Sequence, residues 1–179
     1  AITRALVHAG DRLAWLTVLR SPLCGLSLAD LACLGSFPGP RTLFELARDA
    51  GEVAGLSADG RARAARLVAA FECGLARLGQ VPLRDVVEGI WLDLGGPALA
   101  GTELPLTDLI LDEIGRHDVG GDCADVLALG RALDKTRASL PGAGARVQVM
   151  TIHKAKGLEF DTVIVPGLGR AIRREERPV

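Results

Sequence analysis

With 179 residues, 49% apolar and 24% charged, and a formal net charge of −1, the chain has the composition of an ordinary folded domain, or of one domain with part of another. That balance excludes an intrinsically disordered segment and denies the basic excess of a free-standing DNA-binding domain, so nucleic acid would be met only at a local site. Two Trp, four Phe and no Tyr are too few for a stacking platform that grips single strands. Cys24, Cys33, Cys73 and Cys123 form no C-x-x-C pair, and no His falls at ligand spacing beside them. The expectation is buried free thiols in a reducing cytoplasm and no metal site. No uninterrupted apolar run reaches the roughly 18 residues of a membrane span, and no signal peptide precedes the first amphipathic pattern. A start without Met and a charged end, Arg173-Arg174-Glu175-Glu176-Arg177-Pro178-Val179, suggest an excised piece.

In chain order, residues 2 to 9 have a short helical pattern. Asp11 caps a second helix with Leu13, Trp15, Leu16, Val18 and Leu19 on its apolar face, and Ser21-Pro22 stops it. Ser27 followed by Asp30 starts a third helix, Phe37-Pro38-Gly39-Pro40 is a loop, and a helix over about 41 to 50 follows. Ser57 opens the longest helix, to about Leu78, with Ala64, Val68, Phe71, Leu75 and Leu78 on one face and Arg63, Arg66 and Arg77 on the other. That arginine face has the chemistry of a phosphate-binding stripe, and its plainer reading is a solvated helix side. Pro82 begins the next helix, through Val86, Val87, Ile90, Trp91 and Leu94, stopped by Gly95-Gly96-Pro97.

The segment Pro97 to Pro105 reads as loop. Thr107 caps a helix with Leu109, Ile110 and Ile114, and a last long helix runs from Asp122 or Ala124 to Leu140. His8 and His117 are expected at the surface. Pro141-Gly142-Ala143-Gly144 marks a boundary, after which the sequence changes character. Val147 to Ile152 and Thr162 to Val165 are β-branched apolar runs flanking a charged, glycine-containing turn. In that turn Thr151, His153, Lys154, Lys156 and Glu159 lie close together beside Gly157. A hydroxyl, backbone N–H groups and a lysine suit phosphate oxygens, and a carboxylate suits a ribose hydroxyl. Read from the residues alone, the stretch is either a ligand-binding turn or an exposed Lys-Gly loop.

Written out, residues 147 to 167 read V-Q-V-M-T-I-H-K-A-K-G-L-E-F-D-T-V-I-V-P-G. This resembles motif V of the UvrD-like superfamily 1 DNA helicases, T-x-H-x-[AS]-K-G-L-E-F followed by an apolar strand. The tail Pro166-Gly167-Leu168-Gly169-Arg170 with Arg173-Arg174 looks like the RecB/AddA-like (exonuclease V beta-type) branch, the helicase-nuclease subunits of recombinational repair. Asp11-Arg12-Leu13-Ala14-Trp15-Leu16, Leu19-Arg20-Ser21-Pro22 and Gly25-Leu26-Ser27 to Asp30-Leu31 are similar to the helical domain that this branch inserts into its second RecA-like motor domain. Ala1-Ile2-Thr3-Arg4-Ala5 echoes the family's arginine-finger motif, but it precedes motif V instead of following it, and the echo is treated as chance.

The resemblance implies a mainly α fold: a multi-helical inserted domain over residues 1–140, then a small C-terminal β-α-β piece of a RecA-like motor domain over 141–179. It implies DNA-binding roles for Thr151, on a backbone phosphate, and His153. Lys156 and Gly157 would form the turn that links the strand path to the nucleotide, and Glu159 would meet the ribose. ATP and Mg²⁺ are then cofactors of the parent protein. Its partners would be single- and double-stranded DNA, the rest of the helicase chain and a partner helicase-nuclease subunit.

Of Lys135, Lys154 and Lys156, none lies in a G-x-x-x-x-G-K-[ST] loop, and no nuclease carboxylate cluster can be assembled. No catalytic residue is therefore expected in this chain, and the piece alone should neither hydrolyse ATP nor unwind DNA. The alternative is a non-enzymatic helical DNA- or protein-binding module. A small α/β enzyme built on His153 and Glu159 lacks any nucleophile or metal constellation.

Overall fold

A computed structural model describes residues 1–101, 104–139, 147 and 149–166. The chain divides into two compact units, Ala1–Leu140 and Pro141–Val179. The described residues are mainly helical. None of their helices is long and apolar enough to cross a membrane.

The first unit is a stack of helices: α1 (Ile2–Val7), α2 (Arg12–Arg20), α3 (Leu28–Gly35), α4 (Leu43–Arg48), α5 (Ala58–Arg77), α6 (Leu83–Asp93), α7 (Gly96–Ala100), α8 (Leu104–Arg116) and α9 (Val126–Ser139). The long α5 packs against α1, α4 and α6, and α6 in turn carries α7 and α8. Local chemistry fixes most of the starts. Asp11 Oδ1 accepts the Ala14 N–H at 2.9 Å, Ser27 Oγ that of Asp30 at 3.1 Å, and Ser57 Oγ that of Gly60 at 2.8 Å. The core is centred on Trp15 of α2, whose ring lies 4.9 Å from that of Phe44 in α4 and 4.7 Å from that of Phe71 in α5. Ala14, Trp15, Val18 and Leu19 make the buried stripe of α2. Leu13, expected on that face, falls outside the stripe and is 66% exposed.

Two joints are built by chemistry distant in sequence. The buried Asp30 accepts from the Ser57 N–H (2.8 Å), the Ser57 hydroxyl (3.1 Å) and the Ser27 hydroxyl (2.7 Å), so one carboxylate ties the starts of α3 and α5 together. Asp118, in the loop after α8, accepts the Leu83 N–H at 2.6 Å and thus caps α6, whose own N-cap residue Pro82 has no side chain to do so. At the α5–α6 contact the helices meet at Gly74, where a Cβ would stand 2.5 Å from Ile90 Cδ1.

Several boundaries differ from those the sequence predicts. Helix α4 begins at Leu43, because Thr42 and Glu45 form a reciprocal capping box. The segment after Gly95 contains α7, with Pro97 in its first turn and Gly96 packed against the Trp91 ring. Helix α8 starts upstream of Thr107, at Leu104, with Pro105 tolerated in the first turn, where its missing N–H is no loss. Helix α9 starts at Val126, where Asp125 Oδ1 accepts the Ala128 N–H at 2.8 Å.

In the second unit the described residues hold one helical turn, α10 (Ile152–Ala155), and no strand. Val147–Ile152 and Thr162–Val165, expected as strands, carry no ladder among the described residues, and Ile152 is helical. Two short runs do not form a stable sheet without further strands to satisfy their backbone groups. Leu140, the end of the predicted last helix, Pro141 to Gly144 and the tail from Gly167 lie outside the described residues.

Candidate functional site

The turn between the two apolar runs is organised by Thr151. Its side chain accepts the Lys154 N–H at 3.3 Å, and its carbonyl accepts those of Lys154 and Ala155, both at 3.0 Å. Thr151 is thus the N-cap of α10, and its hydroxyl is engaged by the backbone in this structure. Lys156 ends the turn and Gly157 follows at φ +88°. Nothing lies within 4 Å of a Cβ built at Gly157, so the backbone angle, not crowding, requires glycine there. The Leu158 N–H closes back on the Ala155 carbonyl at 3.0 Å.

Thr151, His153, Lys156, Gly157 and Glu159 are all exposed. The structure brings Thr151 and Lys154 together through the cap. Among the described residues no hydrogen bond or ion pair joins His153, Lys156 or Glu159 to another side chain, so these groups are free to face a ligand. Glu159, Phe160, Asp161 and Thr162 line an open hollow of about 550 Å³. The apolar neighbours are exposed as well: Val149 is 97% and Ile164 84% accessible.

Glu159 has the chemistry for a ribose hydroxyl, and Thr151 with the lysines that for a phosphate oxygen. No glycine-rich loop with a following Lys-Ser/Thr cradles a triphosphate, and the described residues hold no group of three or more His, Cys, Asp or Glu placed for a metal ion.

The geometry is that of an exposed, capped, basic turn set between two β-branched runs. Residues 124–172, which include the whole of α9 and of this turn, match the UvrD-like helicase C-terminal domain. This end of the chain is therefore similar to the C-terminal region of UvrD-like helicases. No curated protein and no solved structure matches the chain.

The arginines of the first unit escaped the sequence reading in part. Arg63 and Arg66 do not simply face water: with Arg20 they reach the backbone of the α2–α3 loop. Arg77 goes elsewhere, its guanidinium lying beside Gly89 of α6. Sequence spacing assigns a helix face but not the direction in which a long side chain bends.

Proposed function

We propose that the chain is part of an ATP-dependent DNA helicase of the UvrD-like class, in which residues 147–167 couple the nucleotide state to the grip on single-stranded DNA. Residues 1–140 are read as the helical domain inserted into the second RecA-like motor domain, and 141–179 as the start of that returning motor domain. The observation that carries the reading is the match of residues 124–172 to the UvrD-like helicase C-terminal domain, with the run Thr151 to Phe160 inside it. The local geometry is compatible with the reading. A capped turn followed by a positive-φ glycine sets Thr151 at the start of the turn, His153 within it and Glu159 after it, so one short element presents groups for two ligands.

In this scheme Thr151 donates to a strand phosphate, His153 lies along the strand, Lys156 and Gly157 form the connection, and Glu159 accepts from the ribose hydroxyl. ATP and Mg²⁺ would be held mainly by other parts of the parent protein, which supply the charge stabilisation of phosphoryl transfer. The exposed Val149, Val163 and Ile164 side chains would be covered by neighbouring strands of the motor sheet. The RecB/AddA-like branch is part of the proposal, and with it a role in repair and recombination beside a helicase-nuclease partner.

The test uses the full-length parent. Thr151→Ala and Glu159→Ala should each reduce DNA-stimulated ATP hydrolysis at least tenfold, Thr151→Ala by weakening DNA affinity and Glu159→Ala by raising the KM for ATP. Unchanged kinetics in both variants would refute the assignment. A parent gene with no G-x-x-x-x-G-K-[ST] upstream, or a robust DNA-stimulated ATPase from the 179 residues alone, would contradict it from the other side.

A further inference from the structure

Helices α6 and α8 pack antiparallel, and one ion pair fixes their register. Arg84, near the start of α6, meets Asp112, near the end of α8, at 2.9 Å, and the Arg84 Cβ lies 3.8 Å from where a Cβ at Gly115 would stand. The Asp118 cap on the Leu83 N–H closes the same end of the seam. Residues four apart share a helix face, so one turn further along both helices Glu88 on α6 comes opposite Asp108 on α8. A second turn brings Leu92 and Leu104.

Glu88 and Asp108 take no hydrogen bond or ion pair from another described residue, and the guanidinium beside them, Arg84, is committed to Asp112. Three carboxylates thus share one cation, and the repulsion between the two unpaired ones is not relieved within the unit. Leu92 is 49% and Leu104 43% exposed, so apolar surface adjoins the unpaired charge. The surroundings have the same sign: residues 79–140 carry eleven acidic and five basic side chains. Nucleic acid and anionic lipid are repelled by that excess. A second copy meeting this face across a twofold axis would set the same carboxylates against each other. A cationic protein segment is attracted.

We infer that the outer edge of the α6–α8 seam is a docking surface for a basic amphipathic helix of a partner protein. Lysine or arginine groups of that helix pair with Glu88 and Asp108, and its apolar side covers Leu92 and Leu104. A helix suits the surface because charge and apolar contact alternate along it at the turn of an α-helix, about 6 Å per four residues, beside two antiparallel helices. The surface lies outside residues 124–172 and stands independently of the motor reading.

The test is the fluorescence anisotropy of a labelled synthetic helix of lysine and leucine in amphipathic order, titrated with the full chain. The same pattern built with glutamate in place of lysine is the control peptide. The lysine peptide should bind, more weakly as salt is raised, and the glutamate peptide should not. Glu88→Gln with Asp108→Asn should weaken binding by about five- to tenfold, and Leu92→Ser with Leu104→Ser by at least about tenfold. Glu88→Lys with Asp108→Lys should reverse the preference in favour of the glutamate peptide. Leu13→Ser with Leu28→Ser, at exposed leucines of α2 and α3, should change nothing. If the double Lys variant does not fold, the Gln and Asn variant carries the charge test, since Glu88 and Asp108 bond to no described residue. No binding of the lysine peptide, equal binding of both peptides, unchanged affinity in the Gln and Asn variant or in the Leu92 and Leu104 variant, or an equal effect of the Leu13 and Leu28 variant would overturn the inference. So would self-association of the chain that the Leu92 and Leu104 variant abolishes. Binding lost in the full-length parent would overturn it too, because another part of the same protein would then cover the seam.

Discussion

Asp30 is the residue whose replacement tests the architecture of the helical unit most directly. It is 4% exposed and accepts one backbone N–H and two hydroxyls, from Ser57 and Ser27. A hydrogen bond to a charged acceptor contributes about 1.5–3 kcal/mol, and such values do not add fully within one network. In Asp30→Ala the two hydroxyls can turn elsewhere, but the Ser57 N–H loses its acceptor at the start of α5, so the expected loss is about 2–4 kcal/mol. Asp30→Asn keeps an acceptor for that N–H, and its amide can donate to the hydroxyl oxygens; a loss of about 1 kcal/mol is expected.

The two variants also differ from wild type in their pH dependence. The Ser57 N–H, followed by the Ser27 hydroxyl, holds the Asp30 carboxyl below the usual carboxylate range. A depressed folded value means the contribution is complete above the unfolded value near about 3.9 and is lost as pH falls through the folded value. The stability gap between wild type and Asp30→Asn should therefore be constant from pH 7 to about 5 and narrow below about 4. Asp11 and Glu45 are lowered as well, by the Ala14 N–H and the Thr42 N–H respectively, so wild type alone loses stability in acid for several reasons. The difference between variants isolates Asp30. Urea unfolding followed by far-UV circular dichroism at a series of pH values measures it, and a gap that stays constant through the acid range refutes the role given to the carboxylate.

Gly74→Ala should gain up to about 1 kcal/mol of helix propensity yet lose more by crowding Ile90, for a net destabilisation of about 1 kcal/mol. Because the colliding atoms are Ile90 Cδ1 and Cγ1, which would stand 2.5 and 2.7 Å from the new Cβ, Ile90→Ala should suppress much of that loss, and a double-mutant cycle with simply additive energies would reject the close contact. Asp118→Ala removes the acceptor of both the Leu83 and Gly121 N–H groups, costing about 1–3 kcal/mol and accelerating hydrogen exchange at the Leu83 amide. Leu13→Ala, at a site 66% exposed, should change stability by no more than about 0.5 kcal/mol, where Phe71→Ala should cost about 3–5 kcal/mol by the same urea assay.

What could be read from the sequence follows the range of the interaction concerned. The starts at Asp11, Ser27 and Ser57 are legible because a cap bonds within three residues of itself. Thr42 and Glu45 carry the same signal, hidden by the adjoining Pro38-Gly39-Pro40 loop. Helix α7 was obscured by glycine and proline, although Pro97 is favourable in a first turn. The Asp118 cap of α6 spans 35 residues, and the Asp30 link to Ser57 spans 27, distances at which no local pattern exists. The turn at Thr151 was visible as a cluster of groups. That Thr151 caps a helical turn, with its hydroxyl turned to the Lys154 N–H, was not, because motif spacing carries no hydrogen-bond direction.

The second unit separates local from borrowed stability. The Thr151 cap and the positive-φ Gly157 need only their own neighbours, and both are present without a sheet. The β-branched runs differ. Val149, Ile152, Val163 and Ile164 are 97%, 74%, 68% and 84% exposed. Full burial of one such side chain stabilises by about 1.5–3 kcal/mol, so these four together leave on the order of 5–10 kcal/mol of hydrophobic free energy unrealised. A loop that merely connects has no reason to hold four β-branched apolar residues in water. Their placement on both sides of a polar turn suits runs buried on both faces of a larger parallel sheet, with the turn at its edge. On the motor reading, the same residues that are costly here become the anchors that fix Thr151 and Glu159 to the sheet. Any shift of that sheet with nucleotide state would then be passed to the strand-binding side over the single helical turn between them.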